Sequence, residues 1–154
     1  MSEPAQLTIG KILVPLDFEA PSLHALDYAK DLSQRFGASL QVLHVIPNPY
    51  LPSAYLPLVT DIPIISPSSL EDLAQEARKR LEEVLPKAAR EALRATTSIK
   101  VGDARTVILE HANEQQIDLI VMGTHGRKGA AHLLLGSVAE RIVRAAPCPV
   151  LTVR

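Results

Sequence analysis

The sequence predicts an α/β fold, a doubly wound five-stranded parallel sheet with helices on both faces. Two observations carry that expectation. Short apolar runs rich in Val, Ile and Leu alternate along the chain with longer segments whose apolar residues recur at helical spacing. Hydrophobic residues make up 47% of the chain, aromatic residues only 3%, and Trp is absent. The core must then be built from Leu, Ile, Val and Ala, which suits a parallel sheet buried under helices. At 154 residues without an internal repeat, one domain spanning residues 1–154 is expected.

Each element follows in order. Residues 11–16 form an apolar run ending at Asp17, the first strand. Ser22 can cap a helix running to Phe36, with Leu23, Leu26, Ala29, Leu32 and Phe36 on one stripe and Gly37 as its stop. Ser39–Ile46 is the second strand. Residues 47–67 hold six of the twelve prolines, with Tyr50 and Tyr55. Each proline removes a donor and biases its predecessor away from helix, so a Pro-rich loop is expected. Loops of that length are usually functional or disordered.

Ser68-x-x-Glu71 reads as a capping box opening a helix to about residue 95, with Leu70, Leu73, Ala77, Leu81 and Leu85 on its apolar side. Pro86 predicts a kink or break within it. Residues 97–101 form the third strand, and Gly102-Asp103 turns into a helix over residues 105–114. Residues 118–123 form the fourth strand, Ser137–Ala145 the fourth helix, and residues 149–153 the fifth strand. Following that helix directly, the fifth strand is expected beside the fourth at a sheet edge. Val150, Leu151 and Val153 make the edge apolar, with Arg154 its one nearby charge.

The chemistry concentrates between the fourth strand and the fourth helix, in Val121-Met-Gly-Thr-His-Gly-Arg-Lys-Gly-Ala-Ala-His-Leu-Leu-Leu-Gly-Ser-Val138. Gly123 and Gly126 follow the strand; after nine intervening residues, Gly136-Ser137 opens the helix. Bare backbone N–H groups at a strand end and a helix N-terminus can hold a phosphate with the help of the helix dipole. Glycine lets backbone and ligand approach closely. The layout reads as a nucleotide site. It is not a Walker A loop, because Lys128 is followed by Gly129 and not by Ser or Thr. Nor is it the G-x-G-x-x-G fingerprint, which directly follows the first strand.

Gly-x-x-Gly, nine residues, Gly-Ser resembles the ATP-binding pattern of the universal stress protein family. Lys11-Ile-Leu-Val-Pro-Leu-Asp17 resembles the family's first strand, and Leu43-His-Val-Ile46 the end of its second. Val101-Gly102-Asp103 resembles the turn before its third helix, and Pro147-Cys-Pro-Val-Leu-Thr-Val153 its closing strand. The resemblance implies a Rossmann-like sheet of the adenine nucleotide alpha hydrolase kind, binding ATP (or ADP or AMP) with Mg²⁺. It also implies a homodimer paired through residues 149–153. In the implied site, Pro15, Leu16 and Asp17 border the adenosine end, and the backbone of Val45 bonds the adenine. Met122, Gly123, Thr124, His125, Gly126 and Arg127 form the loop, and Gly136, Ser137 and Val138 the phosphate-binding helix start. Family members often carry a hydroxyl residue where this chain has Ala139, which removes one polar contact.

Competing structural roles exist for several of these residues. Asp17 can make an Asx turn or a helix cap, although its place at the rim favours function. The glycines can serve turns alone, and Ser137 can be a simple N-cap. Arg127 and Lys128 can neutralise phosphate charge or be solvated loop charges. Glu140 is expected to complement the helix dipole.

Other function classes are disfavoured. Net charge is −1, so no global field draws nucleic acid or an anionic membrane. No apolar run reaches the ~20 residues of a membrane span, and no signal peptide opens the chain. One cysteine, Cys148, excludes an internal disulfide and fits the cytoplasm; it reads as a packed small hydrophobe. The histidines at 24, 44, 111, 125 and 132 have no metal-site spacing, and only His125 lies in the loop. An FMN carrier would need aromatic residues that are nearly missing. A non-enzymatic binding module is the favoured reading, with a slow ATPase or nucleotidyl transferase as the alternative, because no general base is evident.

Overall fold

The structure is a computed structural model and describes residues 8–48, 67–124 and 135–154. In chain order the elements are β1 (Lys11–Pro15), α1 (Ala20–Phe36), β2 (Ser39–Ile46), α2 (Pro67–Val84) and α3 (Lys87–Ala92). Next come β3 (Thr96–Val101), α4 (Ala104–Glu114), β4 (Leu119–Gly123), α5 (Ser137–Ala145) and β5 (Val150–Val153). The strands form one sheet in the order β3-β2-β1-β4-β5, every neighbouring pair parallel. The expected doubly wound α/β architecture is therefore present, and β5 lies at an edge beside β4.

Alternation along the strands builds two cores. Ile12 and Val14 of β1 face a cluster with Ala25, Leu26 and Ala29 of α1, Leu81 of α2, and Leu85. Leu13, between them, faces the opposite cluster with Val107, Ile108 and Ala112 of α4 and Ala139 and Ile142 of α5. All five strands end at the same rim, and the winding reverses between β1 and β4. That is where ligands settle in open α/β sheets.

Several boundaries differ from expectation for local reasons. Helix α1 begins at Ala20, so Ser22 lies inside its first turn and is buried, not capping. Phe36, expected on the buried stripe, is 50% exposed at the last position of the helix before Gly37. Gly37 takes φ 65, the left-handed cap that glycine adopts without cost, and its N–H returns to the Ser33 carbonyl. The expected helix over residues 68–95 is two helices with Pro86 as the cap of α3. Among the described residues helix α2 runs over Pro67–Val84, so Ser68 lies within it. The Pro-rich expectation for residues 47–67 otherwise falls largely outside the described residues.

Candidate functional site

Two chain segments converge on the point where the winding reverses: the exit from β1 and the start of α5. The exit from β1 is closed by a small polar lock. The Asp17 Oδ1 accepts from the Glu19 N–H at 2.9 Å and from the buried Ser22 hydroxyl at 2.6 Å. The Ser22 oxygen in turn accepts from the Asp17 N–H at 3.2 Å. The Asx turn weighed for Asp17 is therefore real, but it engages a single carboxylate oxygen. Phe18 next to it has φ 66, an uncommon conformation for a bulky residue. Its ring packs 4.8 Å from the ring of His44 and lies 4.2 Å beneath the Arg80 guanidinium.

The start of α5 is open. Gly136 is its N-cap and provides no side chain to accept from the first amides. The Glu140 N–H bonds to the Gly136 carbonyl, beginning the helix ladder. The amides of Ser137, Val138 and Ala139 precede that ladder and have no intrahelical acceptor. The Gly136 N–H itself is used: it donates to the Thr124 carbonyl at 2.6 Å, fastening the helix start to the end of β4. Thr124, buried at the rim, donates its own N–H to the Val153 carbonyl of β5. Ser137 is exposed, Val138 is half-buried, and Ala139 points into the core. Glu140 sits in the first turn and pairs with Arg144 at 3.0 Å.

Gly123 ends β4, but its missing Cβ makes room for protein. A Cβ there would lie 2.8 Å from the Pro21 carbonyl carbon and 2.9 Å from the Ser22 nitrogen. The residue lets the first turn of α1 rest on the end of β4. Pro15, Leu16 and Met122 are buried at the rim. Val45 lies near the end of β2, paired in register with Lys100. His125, Gly126 and Arg127, with Lys128, Gly129 and His132, lie outside the described residues.

Two titratable groups with shifted pKa values, His111 and Cys148, lie away from the rim. His111 is buried against Gln41 in the first half of β2, away from the rim, with Nε2 2.8 Å from its Oε1. Burial, and then the charge of Lys100, hold its pKa below the ordinary imidazole value. Burial, assisted by Asp118, pushes the Cys148 thiol up, away from a reactive thiolate. Among the described residues, no three His, Cys, Asp or Glu side chains converge as a metal site would need. No helix among them is long and apolar enough to cross a membrane.

Sequence reasoning missed Ser22, Phe18 and His44 as parts of this rim. Only His44 left a signal: a polar ring within the otherwise apolar second half of β2, directly before Val45.

A model of the universal stress protein family matches residues 8–154. The chain belongs to that family. A universal stress protein of Methanocaldococcus jannaschii is 35% identical over 144 residues, which cover 94% of this chain and 81% of that protein. Among solved structures, a universal stress protein from Lactobacillus plantarum superposes with TM-score 0.72 at 31% identity, covering 94% of this chain and 97% of that one. A universal stress protein solved in complex with cAMP shares the fold, with TM-score 0.66 at 24% identity over 96% of this chain and 98% of its own.

Proposed function

We propose that this chain is an ATP-binding regulatory module, one universal stress protein domain that pairs as a homodimer. The uncapped start of α5, fastened to β4 at the winding reversal, carries the reading. Three amides and the positive end of the helix dipole face a rim that opens between two strands, which fits a polyphosphate. The free oxygen of Asp17 and the backbone of Val45 border the same rim and suit the sugar and the adenine. His125, Gly126 and Arg127 would complete the loop over the phosphates. Mg²⁺ arrives with the triphosphate and needs few protein ligands. A fold relative holds an adenine nucleotide, cAMP.

The groups offered are backbone amides, which hold ground-state charge; binding without preferential transition-state stabilisation gives no catalysis. The module therefore reports nucleotide occupancy to a partner protein of the cytoplasm. The edge position of β5, with Leu151 38% exposed, supports pairing with the same strand of a second copy. Calorimetry with Mg-ATP is expected to show binding at or below millimolar concentration, no appreciable turnover, and a dimer by light scattering. No heat at millimolar ATP sinks the nucleotide reading, rapid turnover sinks the non-enzymatic one, and a monomer mass sinks the pairing.

A further inference from the structure

The β1–β2 ladder stops one bond early, and a side chain lies on the acceptor of the missing bond. The strands pair in register from Lys11 with Ser39 to Pro15 with Leu43, and the Leu16 N–H then donates to the Leu43 carbonyl at 2.9 Å. In a parallel ladder the next bond runs from the Val45 N–H to the Leu16 carbonyl. His44 holds that carbonyl instead, with Nδ1 2.7 Å from the oxygen. A carbonyl only accepts, so Nδ1 carries the hydrogen. Among the described residues no backbone bond joins the Val45 amide to β1.

The amide faces the vacated side. The Ile46 carbonyl is taken by the Gly102 N–H on the β3 side. Adjacent strand residues point their polar atoms to opposite neighbours, so those of Val45 point toward β1, past its end. There the chain has already turned away through Asp17, locked to Ser22, and left-handed Phe18. The imidazole is fixed in this role: it is 7% exposed and packed against the Phe18 ring.

We propose that His44 is a positioning residue for base recognition. By occupying the Leu16 carbonyl it keeps the Val45 N–H and C=O, one donor beside one acceptor, open to the edge of an adenine. This deepens the proposed function and rests on it for the identity of the base. The test is amide hydrogen exchange by NMR on the full chain, alongside titrations with ATP and inorganic tripolyphosphate. In the wild type, Val45 should exchange rapidly without nucleotide and slowly with ATP. In His44→Leu the Leu16 carbonyl is released, so Val45 should be protected without nucleotide. ATP affinity should fall about tenfold, the scale of one buried hydrogen bond, with tripolyphosphate affinity unchanged. His44→Asn, which keeps a donor near the Nδ1 position, should restore the wild-type pattern.

A His44→Leu protein that binds ATP as the wild type does, or loses tripolyphosphate equally, overturns the inference. If that variant does not fold, His44→Asn should bind ATP and His44→Gln, whose donor lies farther out, should not; equal binding by both overturns it. A wild type that binds no ATP defeats the nucleotide reading alone. Val45 exchange in ligand-free wild type and variant then still decides the role of His44.

Discussion

Helices α4 and α5 leave the same rim, cover the same face of the sheet, and begin in opposite ways. Both N-caps have extended backbone, φ −76 and ψ 122 at Asp103, φ −69 and ψ 160 at Gly136. The Asp103 carboxylate accepts from the Thr106 N–H at 3.2 Å and its hydroxyl at 3.1 Å, and pairs with Arg105. Gly136 has no side chain with which to cap its helix. One start has its Thr106 amide capped and carries its own anion; the other has no side-chain cap on its first three amides. One side chain separates a structural helix start from a candidate binding one.

The comparison breaks most directly by making α5 resemble α4. Gly136→Asp should fold, because φ −69 is open to any residue, and its carboxylate should cap the Val138 or Ala139 amide. ATP affinity should fall by about 100-fold, through loss of a charge-assisted bond and added repulsion. Calorimetry on a variant that keeps its circular dichroism and melting temperature checks this; undiminished binding would falsify the anion site.

Gly123→Ala separates packing from binding at the other side of the rim. Its Cβ would press on the Pro21 and Ser22 backbone, which cannot move like a side-chain tip. Urea unfolding should show a loss of about 1–3 kcal/mol, typical of overpacking. A variant as stable as wild type would mean that α1 does not rest on β4 as described.

The smallest effect is expected from opening α4. Asp103→Ala should cost about 1 kcal/mol and leave ATP affinity unchanged. The change also has a pH signature. Burial raises the Asp103 pKa, but the Arg105 and Thr106 bonds outweigh it, so the folded value lies below the ordinary 3.8. The cap's contribution is therefore present above 3.8 and lost as pH falls through the lower folded value. Stability measured from pH 5 downward should decline less steeply in the variant; parallel curves would refute the capping role.

Much of this architecture was legible in the sequence because strands buried on both faces write themselves as Val, Ile and Leu runs. The bounds of β2 and α5 agree with expectation, and β1, β3, β4 and β5 differ by one end residue. The break at Pro86 followed from its missing N–H. Less visible were roles set by neighbours distant in sequence. Gly123 meets Pro21 and Ser22, about a hundred residues earlier, and no spacing rule anticipates that approach. Ser22 resembled a cap because Ser precedes an apolar stripe, yet Pro21 already belongs to the helix and Ser22 turns back to Asp17. His44 was read only as a strand residue, since the carbonyl it holds belongs to another strand.

Thr124 has a consequence for mutagenesis. It joins β5 to the start of α5 through its own main chain, giving its N–H to Val153 and taking that of Gly136. Every residue except proline carries that pair of atoms. Alanine at position 124 would leave both main-chain bonds intact, and among substitutions there only proline removes the N–H that Val153 accepts from. The joint between the edge strand and the helix start is made of main-chain atoms, so its two bonds are specified by the path of the chain and not by the identity of the side chain that Thr124 carries.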